Sequence, residues 1–552
     1  MRDPSASPGG AVAAAVSDRP RSVPLLTVVV PVYNGGDEIV ENVEQIRRVV
    51  ATGLPGEEIE LIVVSDGSID GTAERLLESR SERAIRVIHY DRNLGKGYAV
   101  KAGALAARGD WVALIDADLD LDPSVIPMFL EVARSESLDF AIGSKRHPES
   151  VVQYPRSRRI ASWAYQQLNR VLFRLDVRDT QVGVKVFSRK VVDDVIPLLL
   201  VKQFAFDLEL LAVATALGHG RIRELPVRLE YRFTGSALRS STVLRALWDT
   251  AAVFYRLRVL RTYQRKRGLF GPQSGVPSEW PLVSVLGAAS AAVALDYPRL
   301  ERADHADTAT GELLAVLAPG TRPAGNWVAA AVPFFRDPDV AAVVAPTVAP
   351  LRATARERAA AAVLESRLGG GSRRSRHFPG NVRGVSDYPA DTVVVRRTDY
   401  AAAQAADVDG ERLVAWLAER SRQTVYTPDT SVSAVPDPVF GPHLRATVRH
   451  ARARGGAARG SGGGSLSAAT MLSLLPAACA LVGTGLALAG SGVTRDVGIG
   501  LLAGYGALIL SSALLAAVRF RSPTVGLLAA PALIATHAAY VGGFVQGVLR
   551  LR

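Results

Sequence analysis

The sequence predicts an α/β fold with a mostly parallel sheet, followed by a second α/β domain and an all-α membrane region. The first observation is a regular alternation of apolar, β-branched segments with helical segments from Leu25 onward, which is typical of parallel sheets covered on both faces. The second is that residues 310–320 repeat the pattern of residues 108–118. The third is a set of long stretches without Asp, Glu, Lys or Arg near the C-terminus.

Length and composition set the broad class. The chain has 552 residues, of which 48% are hydrophobic and 21% charged, and its net charge is +12. This composition excludes a disordered chain, and the single cysteine, Cys479, excludes a scaffold built on intrachain disulfides. At about 150 residues per domain, three or four units are expected. We divide the chain into a disordered tail (1–24), a first α/β domain that ends in a basic amphipathic helix (25–268), a second α/β domain (269–444), a basic glycine-rich linker (445–464) and three membrane helices (465–552).

The first α/β domain begins with four strands separated by three helices. Each predicted strand is a short apolar segment rich in β-branched residues, and each predicted helix has apolar residues at helical spacing. The strands are predicted at 26–32, 59–65, 85–90 and 111–115, and the helices at 37–50, 70–77 and 97–107.

A polar, glycine-rich turn follows each of the four strands. In an open parallel sheet, ligands bind beyond the carboxyl ends of the strands, so we expect a site at these turns. Ordinary turn chemistry explains any one of them, but it does not explain why all four follow a strand. The turns are 31–36, 66–72, 91–97 and 116–120.

The fourth turn contains Asp116, Asp118 and Asp120. Carboxylates two residues apart on an extended segment point the same way, so they repel one another and need a counter-charge. A hard divalent cation, Mg²⁺ or Mn²⁺, held by these oxygens together with substrate phosphates meets that need, and it stabilises a diphosphate as a leaving group. A solvated acidic turn is the alternative.

Residues 31–34 (Pro-Val-Tyr-Asn), 66–68 (Asp-Gly-Ser) and 116–118 (Asp-Ala-Asp) together resemble the inverting family 2 glycosyltransferases. The resemblance implies the nucleotide-diphospho-sugar transferase fold, also called GT-A-like. It implies that Asp118 and Asp120 hold the metal ion, with Asp118 as a catalytic residue. Many family members have Gln where Asp120 stands, which leaves the metal preference open. The residues implied to bind the nucleotide sugar are Pro31, Tyr33, Asn34, Asp66, Gly67, Ser68, Lys96, Asp116 and Ala117.

Four further segments are similar to polyprenyl-phosphate sugar synthases, and most closely to dolichyl-phosphate glucose or mannose synthases. This resemblance covers about residues 25–267. It implies a hexosyltransferase that moves a hexose, with inversion, from a nucleotide diphosphate to polyprenyl phosphate. UDP-glucose is the donor that we expect, and GDP-mannose is the next choice. The segments are 143–146, 158–159 with Ser162, 179–185 and 206–209.

The cations of these segments suit an acceptor phosphate. A lipid phosphate is already an anionic nucleophile, so it needs positioning and charge neutralisation more than a general base. A sugar hydroxyl would need a carboxylate base, which Asp207 or Glu209 would supply, so both are catalytic candidates. The candidate acceptor-binding cations are Lys145, Arg146, Arg158 and Lys185.

Two other functions stay open at this point. One is a transferase that extends a saccharide or a cell-surface polysaccharide, although three membrane helices hardly form a polysaccharide channel alone. The other is a non-catalytic membrane scaffold that binds sugar nucleotides. The expected partners are the nucleotide-sugar donor, polyprenyl phosphate and the membrane, with a second copy of the chain or glycan-assembly proteins as further candidates. We expect no nucleic-acid partner.

The second α/β domain carries the repeated segment. Residues 310–320 align without gaps on 108–118, but Asp-Ala-Asp has become Ala-Pro-Gly at 318–320. We therefore predict a degenerate transferase-like domain that binds no metal diphosphate. An unrelated α/β domain with a chance match is the alternative.

The C-terminal stretches 466–490, 497–518 and 523–549 lack Asp, Glu, Lys and Arg, and each exceeds about 20 residues, the length that crosses a bilayer. Buried core helices are the alternative. The strip 439–464, with five arginines and no acid, lies on the cytoplasmic side by the positive-inside rule. A basic amphipathic helix at 241–266 suits an anionic leaflet. An ordinary helix packed on the domain, with a solvated polar face, is the alternative. We expect a multi-pass protein of the cytoplasmic (inner) membrane with its catalytic domain facing the cytoplasm.

Overall fold

A computed structural model describes residues 23–79, 85–90, 93–152, 156–201, 205–229, 240–270, 281–287, 295–350, 352–386, 388–460 and 468–549. Nearly all of the predicted disordered tail lies outside these residues. So do the end of the predicted linker and the last three residues of the chain.

The first domain is a seven-stranded sheet with helices on both faces. The four strands and three helices predicted for its first part are confirmed, with ends that differ by at most three residues. The strands are β1 Leu26–Val32, β2 Ile59–Asp66, β3 Arg86–Tyr90, β4 Trp111–Leu114, β5 Phe140–Ser144, β6 Val151–Val152, β7 Lys185–Ser188, β8 Ile222–Pro226 and β9 Arg228–Leu229. The helices are α1 Ile39–Gly53, α2 Thr72–Ser79, α3 Lys96–Ala106, α4 Val125–Ser135, α5 Arg156–Phe173, α6 Arg189–Asp194, α7 Phe206–Ala216, α8 Ser240–Phe254 and α9 Thr262–Phe270, with a π-helix at Tyr255–Val259 between the last two.

The strand order of this sheet is β3-β2-β1-β4-β7-β5-β8. All neighbours are parallel except β7, which runs antiparallel to both β4 and β5. One apolar layer lies between the sheet and α3, α6 and α7, and a second lies between the sheet and α1, α2 and α4. Both faces of the strands are therefore buried, which explains why the strands are almost continuously apolar.

The second domain contains another seven-stranded sheet, ordered β11-β10-β12-β17-β14-β18-β16. Its strand β17 is antiparallel to both neighbours, as β7 is in the first sheet. The strands are β10 Val283–Leu286, β11 Leu300–Ala303, β12 Leu313–Val316, β13 Thr321–Pro323, β14 Val340–Val344, β15 Thr347–Val348, β16 Arg383–Val385, β17 Val393–Arg396, β18 Gln423–Tyr426 and β19 Val432–Ala434. The helices are α10 Trp327–Ala331, α11 Ala355–Glu365, α12 Arg374–His377, α13 Arg397–Ala405 and α14 Gly410–Glu419. The order β11-β10-β12-β17-β14-β18 thus repeats β2-β1-β4-β7-β5-β8, with the same strand directions.

A hydrogen-bonded triad of Thr27, Glu60 and Gly109 lies at the amino-terminal ends of the strands in the first sheet. The Thr27 hydroxyl donates to Glu60 Oε2 at 2.6 Å and accepts from the Gly109 backbone N–H at 2.9 Å. A Cβ at Gly109 would lie 2.6 Å from the Thr27 nitrogen. Only glycine therefore fits at this approach.

The second sheet has the same triad. The Ser284 hydroxyl donates to Glu301 and accepts from the Gly311 backbone N–H at 2.8 Å. A Cβ at Gly311 would lie 2.7 Å from the Ser284 nitrogen. The gap-free alignment of the two segments in the sequence thus corresponds to equivalent positions in the two sheets.

Four helices form the C-terminal region: α15 Gly441–Gly460, α16 Ala468–Ala489, α17 Val493–Arg519 and α18 Pro523–Leu549. Among the described residues, α17 and α18 are long and apolar enough to cross a membrane, by length and composition. The first of the three predicted spans forms α16, whose described apolar part, Leu474–Ala489, is shorter.

The predicted linker at 445–464 is not a loop where it is described, because residues up to Gly460 belong to α15. Its glycines serve helix packing instead. A Cβ at Gly455 would lie 2.3 Å from the Phe544 carbonyl oxygen, and one at Gly547 would lie 2.1 Å from the Arg452 carbonyl oxygen. Small residues on both helices thus let the backbones of α15 and α18 approach closely.

Ion pairs, one of them buried, join the two domains. Asp296 of the second domain pairs with Arg86 and Arg108 of the first. Asp429 lies 2.7 Å from Lys101 on α3, and these two side chains are only 5% and 7% exposed. The Lys101 ammonium is withdrawn from water, and Asp429 supplies the opposite charge that a buried cation needs.

We expect the replacement Asp429→Asn to lower the free energy of unfolding by about 3–5 kcal/mol, because it leaves the buried ammonium of Lys101 unpaired. The double variant Lys101→Met/Asp429→Leu should recover part of that loss, since it removes both charges together. Denaturant unfolding of the purified protein measures both effects. Asp437→Asn, at an exposed position, is the matched control. An unchanged stability of Asp429→Asn would show that the pair does not join the domains.

Candidate active site

The turns after β1 and β2 are tied together at one edge of the first sheet. The Asn34 backbone N–H donates to the Ser68 hydroxyl at 3.1 Å, and the Asn34 side-chain oxygen accepts from the Ile69 N–H at 3.0 Å. Asn34 adopts a left-handed conformation, with φ +53°, which Asn tolerates better than most residues. Pro31 pairs with Val64 in the sheet just before this turn.

Asp66 ends β2 at the same edge and is 3% exposed. Its carboxylate accepts from the backbone N–H groups of Leu94 at 2.7 Å and Gly95 at 2.9 Å. Burial raises the pKa of Asp66 to about 6, and these two hydrogen bonds only partly offset it. Gly67, with φ +65°, makes the tight turn that follows.

The acidic turn after β4 is balanced by a lysine. Lys96, the first residue of α3, forms an ion pair with Asp116. Burial alone would lower the pKa of Lys96, but attraction by Asp116, Asp207 and Asp118 outweighs it and raises the pKa. The structure therefore gathers three of the predicted carboxylates around one predicted cation.

The Asp-Ala-Asp-Leu-Asp turn has a defined local conformation. Asp118 Oδ1 accepts from the Asp120 backbone N–H at 3.2 Å, and Leu119 between them has φ +58°. The Ala117 carbonyl accepts from the Asn42 side chain of α1 at 3.2 Å. These hydrogen bonds fix the conformation of the turn, and the Asp118 side chain is exposed to solvent.

This donor set fits a hard divalent cation. Asp116 and Asp118 offer carboxylate oxygens, which Mg²⁺ and Mn²⁺ prefer. Within the described ranges, no group of three or more acidic, histidine or cysteine side chains forms a closed metal cage. One or two carboxylates, completed by the oxygens of a diphosphate, is the usual arrangement for such a cation.

The segment 179–185 lies beside this turn. A Cβ at Gly183 would lie 2.3 Å from Asp116 Oδ2, so a glycine is needed for the carboxylate to occupy its place. Lys185 begins β7 opposite Leu114 and is 1% exposed, with its ammonium 2.9 Å from Asp207 Oδ1. The antiparallel direction of β7 brings this lysine to the edge where β4 ends.

Two other predicted cations follow β5 at the same edge. The Lys145 backbone N–H donates to Asp179 at 3.2 Å, and the Arg146 guanidinium donates to Gln166 of α5. Arg158 belongs to α5 as well, but its side chain lies outside the described residues. The acceptor-phosphate roles of these residues stay predictions.

Glu209 does not suit the catalytic role that the sequence suggested for it. It is 0% exposed. One carboxylate oxygen accepts from the backbone N–H groups of Leu200 at 2.9 Å and Val201 at 2.8 Å, and the other accepts from the Tyr263 hydroxyl. Both oxygens are engaged inside the protein, so Glu209 holds the start of α7 in place and leaves Asp207 as the carboxylate near the site.

Sequence reasoning gave no role to three residues that the structure places at the site. Gly183 lay within a segment that we recognised, but its contact with Asp116 joins positions far apart in the chain. Asn42 has no motif around it. Arg521, in the turn between α17 and α18, lies over the Tyr33 ring at 5.6 Å, although the two residues are far apart in the sequence.

Residues 27–196 match the family model described as Glycosyl transferase family 2. The chain is 35% identical over 208 residues to the Glycosyltransferase AglD of Haloferax volcanii, a match that covers 37% of this chain and 33% of that protein. It is 31% identical over 247 residues to the Dolichyl-phosphate beta-glucosyltransferase ALG5C of Trichomonas vaginalis, covering 42% of this chain and 71% of the relative.

Among solved structures, the mannosyl-3-phosphoglycerate synthase from Rubrobacter xylanophilus is 19% identical, with a TM-score of 0.33 over 46% of this chain and 78% of that one. This score is too low to support an inference. The sequence matches and the observed sheet, with its polar turns at the carboxyl ends of the strands, support the same family assignment. The chain belongs to glycosyl transferase family 2 and is a glycosyltransferase with a GT-A-like nucleotide-sugar transferase fold.

Proposed function

We propose that this glycosyltransferase moves a hexose from a nucleotide diphosphate to polyprenyl phosphate at a membrane surface, with inversion at the anomeric carbon. The observation that carries the proposal is the packing of the segment 179–185 against the acidic turn, with Gly183 facing Asp116. The same segment carries the resemblance to polyprenyl-phosphate sugar synthases, and a relative named for dolichyl-phosphate glucosylation matches over most of its length. UDP-glucose is the proposed donor, and GDP-mannose is the second choice.

The donor would lie along the turns after β1, β2 and β4. In this arrangement Asp118, with Asp120 beside it, would hold Mg²⁺ or Mn²⁺. The bound cation would neutralise charge that develops on the departing nucleotide. The proposed donor-binding residues are those of the edge itself: Pro31, Tyr33, Asn34, Asp66, Gly67, Ser68, Lys96, Asp116 and Ala117.

The contacts of the two candidate bases, Asp207 and Glu209, favour a phosphate acceptor over a sugar hydroxyl. Asp207 is engaged by Lys185, and Glu209 is engaged by backbone amides. An acceptor that arrives already ionised needs no base, only cations that hold it near the anomeric carbon. We assign that role to Lys145, Arg146 and Arg158, and we propose that Lys185 acts through Asp207.

The second domain is, in our proposal, a degenerate copy of the first. The shared strand order and the triads of Thr27 and Ser284 support a common origin. The strand pairing makes Val393 the counterpart of Lys185. The positions equivalent to the charged residues of the active edge therefore carry no charge. Ala318 and Gly320 are at the positions of Asp116 and Asp118, and Val393 is at the position of Lys185. Pro319 is at the position of Ala117.

Attachment to the cytoplasmic face of the inner membrane completes the proposal. The apolar helices α17 and α18 would anchor the chain, and Arg521 of the turn between them lies over Tyr33, which puts that turn on the side of the catalytic domain. Trp248 on α8 and Tyr255 of the π-helix are 78% and 52% exposed. Exposed aromatic rings beside arginines are typical of surfaces that rest on an anionic leaflet.

The transfer reaction tests the proposal directly. Purified protein with UDP-glucose, Mn²⁺ and a polyprenyl phosphate is expected to form lipid-linked glucose, measured by extraction of radiolabelled product. Asp118→Ala should lower the rate about a thousandfold, because the cation loses its main carboxylate. Asp176→Ala, at an exposed acid of the same domain, is the control. A wild type that binds nucleotide but transfers to no acceptor would indicate a scaffold, and transfer only to a saccharide would contradict the acceptor.

The close contact at Gly183 gives a second prediction. Gly183→Ala is expected to lower kcat/KM about a hundredfold, because the added methyl group displaces the Asp116 carboxylate by about 1 Å. Thermal unfolding should show a folded protein. Gly220→Ala is the matched control, since its methyl group would meet its nearest neighbour at 3.5 Å. Wild-type activity in Gly183→Ala would show that the position of the Asp116 carboxylate does not matter for donor binding.

The raised pKa of Asp66 predicts a pH dependence. If the ionised carboxylate binds the donor, kcat/KM for the donor falls about tenfold per pH unit below pH 6, because protonation of Asp66 removes the acceptor. Above pH 7 the dependence should vanish. Asp66→Asn should be less active and should lose this limb of the profile. A flat wild-type profile between pH 7 and 5, with the fold intact by circular dichroism, would contradict the role of Asp66.

A further inference from the structure

A cleft opens where the second domain meets the C-terminal helices. It is formed by the glycine turn 369–371 with Arg373 and by side chains of α15 and α18. The turn lies so close to α18 that a Cβ at Gly369 would be 2.7 Å from the Leu533 side chain. The cleft is built from elements that the strand-end site does not use.

Two polar atoms at this cleft have no hydrogen-bond partner within the described residues. They are the hydroxyl of Tyr540, a side chain that is 7% exposed, and Nε2 of His450. A neighbouring lining residue is satisfied, because His537 pairs with the Leu368 carbonyl at 3.1 Å and with the Tyr505 hydroxyl at 2.8 Å. Since buried polar groups are almost always paired, two such atoms beside one cleft point to a partner that the described residues do not supply.

The cleft is also positively charged. The Arg373 guanidinium donates to the Thr447 hydroxyl at 3.3 Å, and no carboxylate of the described residues forms an ion pair with it. Burial, together with the cations Arg376 and Arg454, lowers the pKa of Arg373 to about 10. Burial and the same three arginines lower the pKa of His450 to about 3. Arg376 pairs with Asp391 at 3.2 Å, but Arg373 forms no ion pair with a described carboxylate. A buried cation without a counter-ion is costly, and an anion in the cleft would relieve that cost.

We propose that this cleft binds a phosphate-type oxyanion, with Arg373 as its charged partner and the Tyr540 hydroxyl and His450 imidazole as hydrogen-bond donors. The planar guanidinium suits phosphate oxygens, and a neutral imidazole donates from Nε2. A free phosphate and a phospholipid headgroup offer the same chemistry. The cleft adjoins α18, a helix of membrane-spanning length. This site does not depend on the proposed transfer reaction.

Binding to the full-length protein tests the proposal in two arms. In detergent, inorganic phosphate is titrated by isothermal calorimetry. In nanodiscs, binding is compared between phosphatidate-containing and pure phosphatidylcholine discs. Saturable binding in the first arm identifies a soluble anion, and binding confined to phosphatidate discs identifies a headgroup. No saturable binding in either arm overturns the proposal.

Variants locate the site. Arg373→Gln should weaken binding at least about tenfold, whereas Arg352→Gln, an exposed arginine of the same domain, should leave it unchanged. Tyr540→Phe keeps the ring and removes only the unpartnered hydroxyl, so it should fold normally and weaken binding about fivefold. Wild-type affinity in Arg373→Gln overturns the proposal. If that variant does not fold, wild-type affinity in Tyr540→Phe overturns it instead.

Discussion

The active edge depends on the balance of charge among a few carboxylates and two lysines. Asp116, Asp118 and Asp207 would repel one another if nothing lay between them. Lys96 and Lys185 lie there, and the elements that carry them reach the edge for topological reasons. Helix α3 starts at the carboxyl ends of the parallel strands. Strand β7 delivers its first residue to the same edge only because it is antiparallel, since a parallel strand would begin at the opposite end of the sheet.

Much of this edge was predictable from the sequence, and the reason is local. Apolar periodicity located β1, β2 and β4, and chain direction then required the turns with Asn34, Asp66 and Asp116 to meet. The contact of Gly183 with Asp116 was not predictable, because it depends on the register of β7 against β4. The same holds for Asn42 and Arg521, which reach the site through packing of helices that no local pattern describes.

The role of Glu209 and the state of residues 441–460 were misjudged for related reasons. Near an active edge a carboxylate suggests catalysis, but Glu209 is turned inward to receive backbone amides. Glycine suggests a loop, but Gly455 and Gly547 serve the close approach of two helices. In both cases the residue type is compatible with two roles, and only the three-dimensional neighbours decide between them.

The two sheets separate what maintains the fold from what performs chemistry. At the amino-terminal edge both keep a hydroxyl, a glutamate and a glycine in the same arrangement. At the carboxyl edge only the first sheet keeps its charges. Absence of the charged residues at the carboxyl edge costs little stability, because crowded carboxylates destabilise a fold without their ligand. Absence of the hydroxyl, the glutamate or the glycine at the amino-terminal edge would leave buried donors and acceptors unpaired.

The second domain contacts α3, the helix that carries Lys96 to the active edge. One end of this helix carries Lys96, which holds Asp116, and Gly97, where a Cβ would lie 2.6 Å from Phe206 at the start of α7. One turn further along, Lys101 is fixed by two carbonyl groups of the first domain and by Asp429 of the second. A helix transmits displacement along its axis with little loss, so a shift at Lys101 moves Lys96 as well. The second domain is therefore coupled to the geometry of the active edge through Asp429 and α3.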